Sequence, residues 1–354
     1  MTTPRSRAGL VCCTVLVLSS PAHCAHVPSK NGPVPQVFTA ASFNLANWGR
    51  SDRWSRGRHL KDAPKPESER RAVIAILQRI RPDILAVQEI IRDKEDRHLN
   101  DLRAALSGGG LQYSEMFAIA GFDERIQIAL FSRFPIKERH ALNRDQYDLV
   151  PNLALDSETR HARIRRRVER GFIHAVIDIA PPYSIEVFVA HLKSKREFPE
   201  YDQPDETGQE IIRRKEAEIL RSHLDERLRL NPAANILILG DLNDTMGSDA
   251  LQVLSGRKTD PVRMFPLWLS DYHRDAWTHA HYPERQYALF DYAIASQGLF
   301  NEYSPSRSYV YREPAGSPPE LRWDNASDHR PIVAAFYAAD IGYTEKQRLE
   351  PESP

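Results

Sequence analysis

From about Val37 onward the chain alternates short apolar runs with amphipathic helical stretches, and this alternation constrains its fold more than any other feature. The clearest instance is Ile236-Leu237-Ile238-Leu239, four consecutive apolar residues that read as a strand buried on both faces and needing cover on each side. The stretch before it, Glu210 to Leu230, carries Ile211, Ile219, Leu220 and Leu224 and reads as a long helix. Ser68 to Arg81 reads as another, with Val73, Ile74, Leu77 and Ile80 on one face and Pro82 stopping it. Strands are predicted at Phe38 to Leu45, Ile84 to Ile90, Tyr113 to Ala120, Ile126 to Ser132, Phe172 to Ile179, Ser184 to Ala190, Asn235 to Gly240, Leu289 to Ala295 and Pro331 to Phe336. Strands alternating with helices predict an α/β architecture. Ala46 to Pro66 reads as a polar loop mixing Trp48 and Trp54 with cations. Neither an internal repeat nor an interdomain linker interrupts the pattern, so residues 26–354 read as one domain. Its core spans about 37–338, with a loop-rich insertion at about 195–208 and a polar tail from about 341.

A hydrophobic content of 41% with 27% charged residues allows a large core and excludes a disordered or fibrous chain. Lys+Arg and Asp+Glu balance at 48 each, which argues against coating nucleic acid or anionic membrane through bulk charge but leaves room for a local basic site. The N-terminus has the form of a secretory signal peptide: Arg5 and Arg7, the apolar run Ala8 to Leu18, then small residues up to Ala25. That run is too short to span a membrane, which needs about 20 apolar residues. Cleavage after Cys24 or Ala25 and a secreted or periplasmic location are expected; a lipid anchor on Cys24 is the weaker alternative, because bulky His23 precedes it. Cys12, Cys13 and Cys24 all lie in this segment, so the mature chain has neither a disulfide pair nor a Cys-based metal site.

Polar residues recur where the predicted strands end: Asn44, Glu89, His191, Asp241 and Asn243, Asp291, then Asp328 and His329. Strand ends are where an α/β sheet displays its functional side chains. Asp, Glu and Asn supply hard oxygen ligands suited to Mg²⁺, with Mn²⁺ or Ca²⁺ as alternatives, and histidines move protons near neutral pH. Zinc fits less well without cysteine or closely paired histidines. Singly, each residue also has a plain structural reading: Asp328-His329 as a surface turn, Asn44 and Asp241-Leu242-Asn243-Asp244 as turn chemistry, Glu89 as a solvent-facing strand end, His191 as a structural histidine. His279 and His281 read as surface residues.

In series these residues carry a resemblance. Ser42-Phe43-Asn44, Val87-Gln88-Glu89, His191-Leu192-Lys193-Ser194, Gly240-Asp241-Leu242-Asn243-Asp244, Phe290-Asp291-Tyr292 and Ser327-Asp328-His329-Arg330-Pro331 resemble the ordered motifs of the endonuclease/exonuclease/phosphatase superfamily, which includes deoxyribonuclease I, apurinic endonucleases, neutral sphingomyelinases and inositol polyphosphate 5-phosphatases. The resemblance implies a four-layer α/β sandwich of two packed mixed sheets flanked by helices. It further implies Glu89 as ligand to Mg²⁺ with Asn44 and Asp328 nearby, His329 as general base and Asp291 as its orienting partner. Asp241 and Asn243 would orient nucleophile and phosphate. His191 would donate to a phosphate oxygen or the leaving group, paired with Glu124 as in deoxyribonuclease-like members. An arginine near the phosphate is also implied, with Arg166 or Arg167 as candidates.

The arginines between Arg160 and Arg170 and the loop bearing Trp48 and Trp54 read either as solvated faces or as a positive, aromatic rim for a phosphate-bearing substrate. The leading expectation is an exported, Mg²⁺-dependent phosphodiesterase, monomeric and acting as a nuclease. A phospholipid-directed hydrolase is the alternative that the Trp-bearing loop suggests, and a catalytically silent binding protein with the same fold is a third reading.

Overall fold

The computed structural model describes residues 36–55, 57–149, 164–195, 207–257, 260, 262–282 and 284–341. The expected leader, Cys24, and most of the insertion and tail lie outside these residues. Two six-stranded sheets dominate. Strands of the first run in the order Tyr309–Val310, Ile332–Tyr337, Val37–Trp48, Ile84–Ile91, Ile126–Ser132 and Glu115–Ala120. Strands of the second run Met264–Pro266, Asp291–Ser296, Ile236–Asp241, Tyr183–His191, Phe172–Ala180 and Ile136–Leu142. Each sheet is mixed. Val37–Trp48 lies parallel to Ile84–Ile91, and Tyr183–His191 parallel to Ile236–Asp241, while the other pairings are antiparallel.

Strand periodicity explains the layering. Leu237 and Leu239 join Phe38, Ile84, Leu130, Ile173 and Val187 in a core between the sheets, whereas Ile236 and Ile238 point the other way. There they pack against Leu220, Leu224 and Leu228 of the helix Thr207–Leu230, so the four-residue apolar run is covered on both faces as its composition requires. On the first sheet's outer face Phe43, Leu85 and Val87 meet Val73, Ile76 and Leu77 of the helix Glu67–Ile80, and Leu99 and Leu102 of the helix Arg97–Gly108. Helix, sheet, sheet and helix make the four layers. No helix among the described residues is long and apolar enough to cross a membrane.

One expectation needs correction. Residues 46–66 are not a loop: Arg50–Ser55 and Arg58–Pro64 pair as an antiparallel hairpin whose second strand is largely exposed. With almost no buried face, that hairpin leaves no period-2 apolar signal. Part of the basic stretch, Ile164–Arg167, is likewise a strand, paired with Gln146–Leu149.

Candidate active site

Register brings three charged or ionisable side chains abreast on neighbouring strands. His191 and Asp241 are the last residues of their parallel strands and pair with one another; Asp241 pairs on its other side with Asp291, the first residue of an antiparallel strand. The strands pack this closely because residue 240 is glycine: its φ is +153°, and a Cβ there would lie 1.8 Å from the Ala190 carbonyl oxygen.

The first sheet supplies the opposing groups. Asn44 is in the strand Val37–Trp48, and its Nδ2 donates to Asp241 Oδ2 at 3.0 Å and Glu89 Oε1 at 3.2 Å, bridging the two sheets. Glu89 has a φ of +60°, where the ladder slips between Val87 and Ile90. A non-glycine residue in this region is strained, and a bulge of this kind re-aims a side chain. Here the result is a half-buried carboxylate on Asn44. Ser327 anchors the last segment: its Oγ donates to the Asn44 carbonyl at 2.8 Å and accepts from the His329 backbone N–H at 3.0 Å.

His329 Nδ1 lies 2.7 Å from Asp291 Oδ2, and its Nε2 lies 3.7 Å from Asp241 Oδ2. His191 Nε2 approaches the same Asp241 oxygen at 3.6 Å. Asp241, Asp291 and His329 form a buried group with one ligand atom each, all within 4.8 Å of one another. Burial, together with the Asp291 charge, pushes the Asp241 carboxyl up to about 7, against the opposing effects of His329 and the Asn243 and Asn44 hydrogen bonds. For His329, burial is outweighed by the Asp291 and Asp241 carboxylates, so the imidazole holds its proton well above the usual histidine range. His191 goes the other way, held well below that range by burial and then by the charges of Arg170, His329 and Lys193. The two histidines are thus driven in opposite directions, His329 toward its protonated form and His191 toward its neutral one.

Not every expected residue joins this cluster. Asp328 is exposed, with its carboxylate 3.9 Å from His279 Nε2. Asn243 is buried, and its Nδ2 donates to the Leu192 carbonyl at 3.0 Å, holding the His191 loop. Glu124 is exposed in a turn pinned by the Asp123 N–H on the Glu169 carbonyl, and His191 Nδ1 has no hydrogen-bond partner, so the expected His191–Glu124 pair is absent. Arg167 is exposed and Arg166 is paired with Glu169 at 2.9 Å. The arginine turned inward is Arg170: buried, with Nη1 on the Leu192 carbonyl at 3.0 Å, Nε without a partner, and its charge bearing on His191. Its neighbour Gly171, at φ +70°, marks in the sequence the turn that lets it face inward. His279, read as a surface residue, is half-buried with its ring 4.7 Å from that of His329.

Trp48 is also corrected. It is fully buried, donating its indole N–H to Asp101 at 3.1 Å beneath the Arg70 guanidinium, and offers no face to a base or a lipid. Trp48→Ala is therefore expected to cost about 3–5 kcal/mol of stability while leaving KM unchanged. Denaturant unfolding beside steady-state kinetics checks this, and a raised KM in a fully stable variant would restore a substrate-binding role.

The endonuclease/exonuclease/phosphatase family profile matches residues 48–329. The chain belongs to this family. Its members are in general metal-dependent hydrolases of phosphoester bonds. Among solved structures, the human nocturnin catalytic domain is similar at 15% identity and a TM-score of 0.55, covering 86% of this chain and 95% of that one. A truncated Caenorhabditis elegans TDP2 is similar at 16% identity and a TM-score of 0.52, covering 85% and 98%. An endonuclease/exonuclease/phosphatase from Bacteroides vulgatus is similar at 16% and 0.53, covering 86% and 100%. These likenesses establish the shared fold. No curated protein matches.

Proposed function

We propose that this family member is an exported, Mg²⁺-dependent phosphodiesterase acting on nucleic acid, with His329 as general base. The observation that carries the reading is the buried His329–Asp291 pair set against the Asp241 carboxylate. Export rests on the leader-like residues 1–25.

The donor set fits a hard dication. Asp291 Oδ1 is buried without a hydrogen-bond donor, and Asp241 is pushed toward protonation by burial and then by the neighbouring Asp291 carboxylate; both mark unneutralised negative charge. Glu89, Asp241 and Asn44 are the residues that would hold it, with Asp328 at the rim. Bound there, a divalent cation would neutralise phosphate charge and stabilise the charge developing in the transition state.

The chain's own residues do the rest. His329 acts as base only in its neutral form, which requires the Asp241 charge that helps keep it protonated to be offset; Asp291 then fixes the tautomer with Nδ1 protonated, leaving Nε2 to take a proton from the attacking water, and the same carboxylate stabilises the imidazolium that results. His191 is neutral, so its Nε2 can donate to a phosphate oxygen or the leaving oxygen while Arg170 adds positive charge behind it. Burial of the cluster keeps these interactions strong by excluding water.

The lipid reading retains one observation: Trp268, 73% exposed, and Met246, 53% exposed, flank a small slot lined by Leu267, Leu269 and Asp291. The buried Trp48 serves neither a base nor a lipid, and nucleic acid is the substrate class that the endonuclease and exonuclease members of the family suggest. Supercoiled plasmid incubated with the protein and Mg²⁺ is expected to be nicked, and chelator to prevent it. Intact plasmid alongside hydrolysed phospholipid vesicles would replace this reading with the lipid one.

A further inference from the structure

Behind His191, the long helix Thr207–Leu230 presents two charged side chains to the core where its neighbours are apolar. Ile212, Ala217 and Leu220 are buried, as are Arg213 and Glu216, at 4% and 1% exposure. A buried carboxylate contributes little net stability, because desolvation offsets what its partners return. What this pair does is specific. Glu216 Oε2 accepts the Lys193 backbone N–H at 2.9 Å, and Arg213 Nη1 donates to the Lys193 carbonyl at 3.4 Å. The helix therefore holds the backbone of Lys193 by both its N–H and its C=O, two residues after His191.

The same two side chains reach further. Glu216 Oε1 accepts the Glu169 N–H at 2.9 Å, next to Arg170, and Arg213 Nε donates to Asp244 at 2.9 Å, next to Asn243. Between them the Leu192 carbonyl takes Arg170 Nη1 and Asn243 Nδ2, each at 3.0 Å, and the Leu192 N–H donates to the Asp241 carbonyl at 3.1 Å. Three loops thus converge on one grip: the one carrying Arg170, the one after His191, and the one after Asp241.

We infer that Glu216 and Arg213 are positioning residues for the reaction, clasping the Lys193 backbone so that His191, Arg170 and Asn243 keep their places around Asp241. The assignment rests on the phosphodiesterase reading for its kinetic consequence, but not for its geometry. Burial raises the Glu216 carboxyl to about 7, which is consistent with an acceptor retained for its two N–H bonds rather than for stability. Neither residue touches the reacting atoms.

A double-mutant cycle tests it. Glu216→Ala is expected to lower kcat about 10–100-fold with little change in KM, as loss of an outer supporting contact does, and Glu216→Gln, which keeps one acceptor, to fall between. In a His191→Ala background the Glu216→Ala loss should shrink to a few-fold, because the residue it positions is gone. An unchanged kcat, or the same loss in both backgrounds, would overturn the proposal and leave Glu216 a scaffold residue. If Glu216→Ala does not fold, Arg213→Lys enters the same cycle with the same expectation. A measurement that needs no turnover separates this from the functional reading: NMR of the folded variant should show shifted His191 imidazole resonances and faster exchange of the Lys193 and Glu169 amides. Unmoved His191 resonances would sink the clasp even in an active enzyme; shifted ones would sustain it even if every phosphodiester tested proved inert.

Discussion

His329→Ala is expected to lower kcat/KM by about 10²–10⁴-fold, the usual contribution of a positioned general base. The side chain has no stand-in. His191 lies on the opposite side of Asp241 and is held neutral by burial and by the Arg170 charge, whereas His279, next to His329, is pushed down to about 4 by burial and then by the His329 charge. Asp291→Asn should lower the rate nearly as far. An amide nitrogen facing Nδ1 selects the wrong tautomer and leaves the imidazolium without its carboxylate. Rates on a phosphodiester, with folding checked by circular dichroism, decide the matter. Full activity in folded His329→Ala would remove the base assignment, and with it the mechanism proposed above.

Chelation should abolish turnover, and Mg²⁺ should stabilise the protein far more at pH 8 than at pH 5.5. Asp241, raised to about 7 against about 3.9 for a free carboxyl, favours the native state while protonated and costs stability as pH climbs from roughly 4 to 7. His329, held well above its ordinary value of about 6.5, gives stability that is fully present below that value and is lost as pH rises through its raised native one. Both groups make the cation-free protein weaker at alkaline pH, and both bind protons that a dication must displace at acid pH. With Mg²⁺ at roughly 100 times its Kd, linkage contributes about 2.7 kcal/mol, or roughly 5 °C in Tm for a domain of this size. Thermal melts at the two pH values check this. Equal shifts at both, or the same shift in Glu89→Ala, would sink the assignment of the cation to this cluster.

Strand ends were the most legible part of the sequence. Asn44, Glu89, His191 and Asp241 each follow or close an apolar run and His329 comes just before one, and pleated strands deliver consecutive motifs to one edge, so their convergence follows from the pattern once the family order is seen. The strands Ile84–Ile91 and Ile126–Ser132 declared themselves because burial on both faces demands the consecutive apolar residues Ile84 to Val87 and Ile128 to Phe131. What escaped was decided by backbone direction rather than composition. Glu89 points inward because a bulge puts it at positive φ, and among the four described arginines of the basic stretch, Arg165, Arg166, Arg167 and Arg170, only Arg170 is buried, after a strand and before Gly171. Trp48 looked like a surface aromatic in a polar stretch; Asp101, far along the chain, supplies the partner that lets its indole be buried. Glu124 was placed by analogy with a neighbour it does not touch, and Glu216 carried no local signal, since its partners are backbone N–H groups in other loops.

The first sheet joins the two extremities of the domain: Val37–Trp48 lies between Ile84–Ile91 and Ile332–Tyr337, and Ser327 is tied to the Asn44 carbonyl. A nascent chain therefore displays its acidic residues long before it has a base. On the mechanism proposed above, a chain ending before about residue 320 would keep Glu89, Asp241 and Asp291 but lack both His329 and the closing strand that pairs with Val37–Trp48, and such a clipped product is expected to be inactive.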